Sequence, residues 1–101
     1  MIYVFDLDGT LCETDGMNYP AATPKRARIQ VVNDLFESGH WIVIDTARGS
    51  GTKDDWHELT VIQLREWGVK YHELRTGHKI FGHIYVDDRA FRDTDFFAAV
   101  D

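Results

Sequence analysis

The chain has 101 residues, 44% of them hydrophobic, which suits one globular core and is too little for two independent ones. Its formal charge of −6 argues against a nucleic-acid or acidic-membrane partner, since both repel a net acidic surface. Cys12 is the only cysteine, so neither an intrachain disulfide nor a Cys-based zinc site is possible.

No apolar run approaches the roughly 20 residues that span a bilayer. The opening MIYVFDLDG has no basic stretch before its apolar residues, so a signal peptide is not expected. A cytoplasmic location is the default.

Residues 2–7 are apolar, rich in β-favouring side chains and closed by Asp8-Gly9, which predicts a strand buried on both faces. Residues 11–22 are polar and read as a loop. Thr23-Pro24 then supplies an N-cap followed by proline at the first helical position. Ile29, Val32, Leu35 and Phe36 recur at helical spacing, and Gly39 ends that helix.

Residues 41–46 (WIVIDT) form a second predicted strand, followed by a Gly- and Ser-containing loop. Thr52 and Asp55 resemble a capping box for a helix whose broad apolar face holds Trp56, Leu59, Ile62, Leu64 and Trp67. Residues 69–75 read as an edge-like third strand and residues 84–86 as a short fourth. Thr94 or Asp95 is placed to cap a final helix running to Val100. Trp56 and Trp67 are expected in the core, and the five histidines mostly at the surface.

Strands alternating with helices imply an α/β fold, a three-layer Rossmann-like core with a small parallel sheet and right-handed crossovers. If the fourth strand returns to the free side of the first, giving strand order 3-2-1-4, a crevice opens at the strands' carboxyl ends. Ligands bind at such switch points. Asp6 and Asp8, Thr46, and Asp87 and Asp88 would all meet at that rim.

Asp6 and Asp8 lie two residues apart, and two carboxylates that close are costly to ionise together without a cation between them. A hard divalent ion such as magnesium suits them. Taken alone, Asp-Leu-Asp-Gly also reads as a plain strand end turning through Asp and Gly. Asp87-Asp88 closing an apolar strand is harder to explain by structure alone. Thr46 could be a strand end chosen for β propensity, Lys79 an exposed loop lysine, and Arg48 either a phosphate clamp or a surface charge.

Phe5-Asp6-Leu7-Asp8-Gly9-Thr10-Leu11 resembles the first motif of the haloacid dehalogenase (HAD) superfamily, complete at every position. Thr46-Ala47-Arg48 resembles the second motif, Lys79 the third and Asp87-Asp88 the fourth, all in order. The resemblance implies a magnesium-dependent phosphomonoesterase. Asp6 is then the nucleophile and Asp8 the general acid and later base, while Thr46 and Lys79 act on the phosphoryl group. Gly9, Thr10, Ala47 and Arg48 border the substrate. Asp6, Asp8, Asp87 and Asp88 surround Mg2+, with Asp88 favoured as a direct ligand and Asp87 bound to the ion or standing next to it.

Protonation of Asp8 is expected to be favoured by its neighbour Asp6. The segments after the first and second motifs are too short for a cap domain. Residues 46–52, then Asp55-Trp56, then residues 63–72 (QLREWGVKYH) look like small capless members associated with capsule or surface-polysaccharide biosynthesis. Ile80 stands where such relatives often have proline.

The expected partner is a small phosphate ester, a sugar phosphate before a nucleotide, with a homo-oligomer as a further possibility. Gly49-Ser50-Gly51-Thr52-Lys53 lacks the GxxxxGK[ST] spacing of a nucleotide-binding P-loop and reads as a substrate-side loop or a plain turn. Two rivals stand beside the enzyme: a non-catalytic phosphate- or metal-binding partner domain of the same fold, and a phosphoacceptor signalling domain. The contiguous Asp-x-Asp speaks against the second.

Overall fold

A computed structural model of the chain describes residues 1–50 and 55–101. The elements are β1 (Ile2–Phe5), β2 (Cys12–Glu13), a 3-10 turn (Tyr19–Ala21), β3 (Thr23–Pro24), α1 (Arg26–Glu37), β4 (Trp41–Asp45), α2 (His57–Glu66), β5 (Glu73–Arg75) and α3 (Asp93–Phe96). The strands β1, β4 and β5 form a parallel sheet in that order, and β2 pairs with β3 in a small antiparallel ladder. Phe5 sits opposite Ile44, and Ile44 opposite Leu74. This is a small α/β fold, and the described residues hold no separate cap domain.

Parallel strands need crossovers, and α1 and α2 supply them. Helix α1 packs on β4. Buried Leu7, Leu11, Ile29, Val32, Ile42, Ile44, Leu64 and Phe97 make one continuous core. Removing each such side chain from water contributes about 1.5–3 kcal/mol before the entropy of ordering is counted. Gly39 and Gly68 end the two long helices with φ of 92° and 70°, a left-handed turn that side chains with a Cβ resist. His72 is sandwiched between Trp41 and Phe36, with ring centroids 4.1 Å and 4.5 Å away, and its Nδ1 accepts the Ile42 N–H.

Several local expectations are corrected. Thr23-Pro24 does not start α1: Thr23 faces Glu13 in the β2–β3 ladder, and Lys25 takes the N-cap position without a side-chain bond. Neither Thr94 nor Asp95 caps α3, whose N-cap is Arg92. The buried side of α2 carries Thr60, Gln63 and Leu64, while Ile62 is exposed. Trp67 is buried and Trp56 half-buried, its Nε1 without a hydrogen-bond partner among the described residues. The Thr52 half of the expected capping box lies outside the described residues, whereas Asp55 accepts the His57 N–H at 2.9 Å. In the first strand only one face is buried: Phe5 is 6% exposed, but Ile2 and Val4 are 71% and 62% exposed.

The same edge explains the largest difference. Residues 84–86 form no strand. The Tyr85 hydroxyl donates to the Ile80 carbonyl at 2.7 Å and accepts the Gly82 N–H at 2.8 Å. That bonding is local to residues 80–85, and among the described residues no strand pairs with β1 on this side. Ile84, Tyr85 and Val86 are consequently exposed. Between this segment and β1 lies a crevice of about 1420 Å³, bordered by Val4, Asp6, Lys79, Tyr85, Asp87 and Phe91.

Candidate active site at the carboxyl end of the sheet

Asp6 follows the last residue of β1, so the strand fixes its position at the sheet's carboxyl rim. One of its oxygens accepts from Lys79 Nζ and the other from Thr10 Oγ1, both at 2.9 Å. Thr10 reaches back because the chain turns sharply there, the N–H groups of Thr10 and Leu11 both donating to the Leu7 carbonyl. Lys79 is itself held through its N–H, which donates to Ser50 Oγ at 3.1 Å. Lys79 thus stands against Asp6, with Ser50, which the sequence shows only as part of a substrate-side loop or plain turn, bonded to its backbone.

Asp8 has a different environment. Arg48 forks onto it, Nε to Oδ2 and Nη2 to Oδ1, each at 2.9 Å, and the Thr14 hydroxyl donates to Oδ1 at 2.5 Å. Burial pushes the Asp8 carboxyl up, but the Arg48 and Thr14 hydrogen bonds and the Arg48 charge outweigh it and hold the group below the ordinary carboxylate range. The expected protonated Asp8 is thus corrected to a carboxylate: its nearest ionic partner is a guanidinium, not Asp6.

Arg48 is corrected as well. It is 1% exposed, so it neither clamps a phosphate nor sits at the surface. Its remaining donors go to Thr60 Oγ1 and Gln63 Oε1 on α2, and its plane lies 4.7 Å from the centroid of Tyr19. Gln63 in turn donates to the Tyr19 carbonyl at 2.7 Å. Thr60 and Gln63 stand three residues apart, on one helical face. That spacing was the available signal, hidden by the apolar residues around it.

Thr46 is buried at the end of β4, its hydroxyl accepting the Arg48 N–H at 3.2 Å. Ala47 is exposed beside it. Gly9 is exposed, with its N–H spent on the Cys12 carbonyl. Cys12 is buried, and burial raises its thiol to about 11, which leaves it chemically inert.

A second buried arginine went unnoticed in the sequence. Arg28 donates to Asp93 at 2.7 Å and to both oxygens of Asp101, and its Nη1 reaches the Thr10 carbonyl at 3.1 Å. It ties the C-terminal segment to the turn that carries Asp6 and Asp8.

Asp87 and Asp88 are not brought to this cluster. Both are exposed; Asp87 accepts the Arg89 N–H, and Asp88 has only a 4.0 Å approach from Arg89. Among the described residues no group of three or more His, Cys, Asp or Glu side chains converges on a point that could hold a metal. Magnesium wants oxygen ligands in a near-octahedral set, and the acidic residues as arranged do not fit it.

The carboxyl rim of this small α/β sheet thus carries two carboxylates in different settings, Asp6 with Lys79 and Thr10, Asp8 with Arg48 and Thr14. No family model and no curated protein matches the chain. Among solved structures it is similar to an MCSG target protein from Vibrio cholerae, at 33% identity and a TM-score of 0.76, over 94% of this chain and 85% of that one. The chain belongs to the same family as that protein. It is also similar to a chain in the structure of a Pnkp1/Rnl/Hen1 complex, with 18% identity and a TM-score of 0.63 over 96% of this chain and 33% of that one. At that identity the likeness is one of fold alone. No helix among the described residues is long and apolar enough to cross a membrane.

Proposed function

We propose that the chain is a phosphomonoesterase of the HAD type that works through an aspartyl phosphate on Asp6. The observation that carries this reading is the Asp6 carboxylate, fixed between Lys79 and Thr10 beside a second carboxylate at the end of a parallel strand. A carboxylate is a weak nucleophile, but it suffices when phosphoryl charge is offset and the line of attack is fixed. An Asp6 oxygen bonds to phosphorus as the ester P–O bond breaks, and the leaving oxygen takes up a proton, from Asp8 where that group still carries the one gained from water in the previous turnover and otherwise from solvent. Lys79 stabilises charge gathering on the phosphoryl oxygens. In the second half, Asp8 takes a proton from water, the water oxygen bonds to phosphorus, and the bond to Asp6 breaks, releasing phosphate.

Asp8 can donate a proton to the leaving oxygen only after gaining one against the pull of Arg48. Esters of acidic alcohols need that proton least, so an aryl phosphate is the first substrate to test. A sugar phosphate is the natural substrate class we favour, with a nucleotide second. The capsule-type resemblance of residues 46–52, 55–56 and 63–72 supports a sugar phosphate.

The resemblance also implies magnesium, which requires Asp87 and Asp88 to reach the rim. The free edge of β1 and the exposed side chains of Ile84, Tyr85 and Val86 support a closed arrangement. In it residues 84–86 pair with β1 as a fourth strand, giving order 3-2-1-4, and Asp87 already borders the crevice that holds Asp6. The decisive test is Asp6→Asn, which should abolish turnover of p-nitrophenyl phosphate; wild-type rates in that variant would refute the proposal.

A further inference from the structure

The bidentate grip of Arg48 on Asp8 has a cost that core stability does not explain. Burying the Arg48 guanidinium against a carboxylate that is itself only partly buried is expensive, and a well-packed apolar side chain is often as stable in such a place. Yet the five N–H donors of Arg48 all point at acceptors: two at Asp8, others at Thr60 and Gln63, and a long one to Cys12 Sγ at 4.0 Å. The outcome of that arrangement is a carboxylate whose plane is set by a rigid fork. The fork is set in turn by α2.

We infer that Arg48 is the positioning residue of this site, a buried strut that fixes the orientation of Asp8 relative to Asp6 and relays the position of α2 to it. This rests on the phosphatase reading and deepens it. Asp6 is held from the open side by Lys79, which is partly exposed, whereas Asp8 is held from the protein interior. Asp8 is therefore the more enclosed of the two carboxylates. Tyr19, over the Arg48 plane and bonded through its carbonyl to Gln63, fastens the loop before β3 to the same strut.

The strut acts through geometry, so its loss should lower kcat and leave KM nearly unchanged. A small misplacement of a reacting group lowers rates by as much as about 10²-fold. Arg48→Lys keeps the charge but loses the fork, and should lower kcat for p-nitrophenyl phosphate by about 10²-fold with KM within about two-fold. Guanidinium ion, but not ammonium at equal ionic strength, should restore part of the kcat of Arg48→Ala. Thr60→Val keeps Arg48 and removes one anchor, for an expected loss of about three- to ten-fold.

Melting temperature is followed in each case. Wild-type turnover together with wild-type kcat in a folded Arg48→Lys overturns the strut alone. If both Arg48 variants fail to fold, unchanged kcat in Thr60→Val overturns it. Absence of turnover in the wild-type protein brings down the phosphatase reading and the strut with it.

Discussion

Lys79 Nζ lies 2.9 Å from an oxygen of Asp6, although 73 residues separate them in the chain. Both side chains are partly open to solvent, and an ion pair of that kind contributes about 0–1 kcal/mol to stability. Its value as a fold element is therefore small. Lys79→Met should melt within a few degrees of wild type while turnover of an aryl phosphate falls by about 10²- to 10³-fold, the size of an electrostatic contact made to transition-state charge. Equal losses of stability and rate would mean that Lys79 is structural.

Arg28 makes a contrasting case. It is 5% exposed, and it joins α1 to Asp93, Asp101 and the Thr10 carbonyl. Hydrogen bonds to charged groups contribute about 1.5–3 kcal/mol each in favourable settings. Here both acids can regain water when the arginine is gone, so Arg28→Met should cost about 2 kcal/mol in urea unfolding. Because Thr10 also holds Asp6, kcat should fall several-fold in the same variant, which a chevron and an initial-rate assay together can separate.

The pH dependence of stability carries the same signature. Arg28 hydrogen bonds hold Asp93 and Asp101 below their usual 3.8, and Asp8 is likewise lowered, burial opposing and the Arg48 and Thr14 bonds prevailing. A carboxyl depressed in the folded state contributes stability that is complete above its unfolded value and fades as pH falls through the lower folded one. The wild-type melting temperature should thus drop steeply below about pH 4. Arg28→Met should show a shallower acid limb, and parallel limbs would contradict the assigned pairs.

How much of this could be read in the sequence follows from what each feature depends on. The apolar runs around Val4 and Ile44 announced two strands, though only the one at Ile44 is buried as the run implied, and Gly39 announced a helix end because few other residues take that turn. Asp6 and Lys79 were legible through a motif. The two buried arginines were not. A charged residue looks the same in a sequence whether it is solvated or paired, and the acids that satisfy Arg28 and Arg48 lie far along the chain. The fourth strand failed for a related reason: Tyr85 spends its hydroxyl on the backbone of Ile80 and Gly82, a competition that hydrophobic patterning does not register.

That competition is open to experiment. If residues 84–86 exchange between the present turn and a pairing with β1, removing the Tyr85 hydroxyl should favour the paired form. The two bonds it makes are exposed and together contribute on the order of 1 kcal/mol, enough to shift the balance by about five-fold. Tyr85→Phe should therefore slow amide hydrogen exchange at residues 84–86 and along β1. Val86→Pro should do the reverse, because proline cannot donate to a ladder, and turnover should fall with it. Unchanged exchange in Tyr85→Phe, with wild-type turnover in Val86→Pro, would mean that the sheet ends at β1 and that Asp87 and Asp88 have no part in the site.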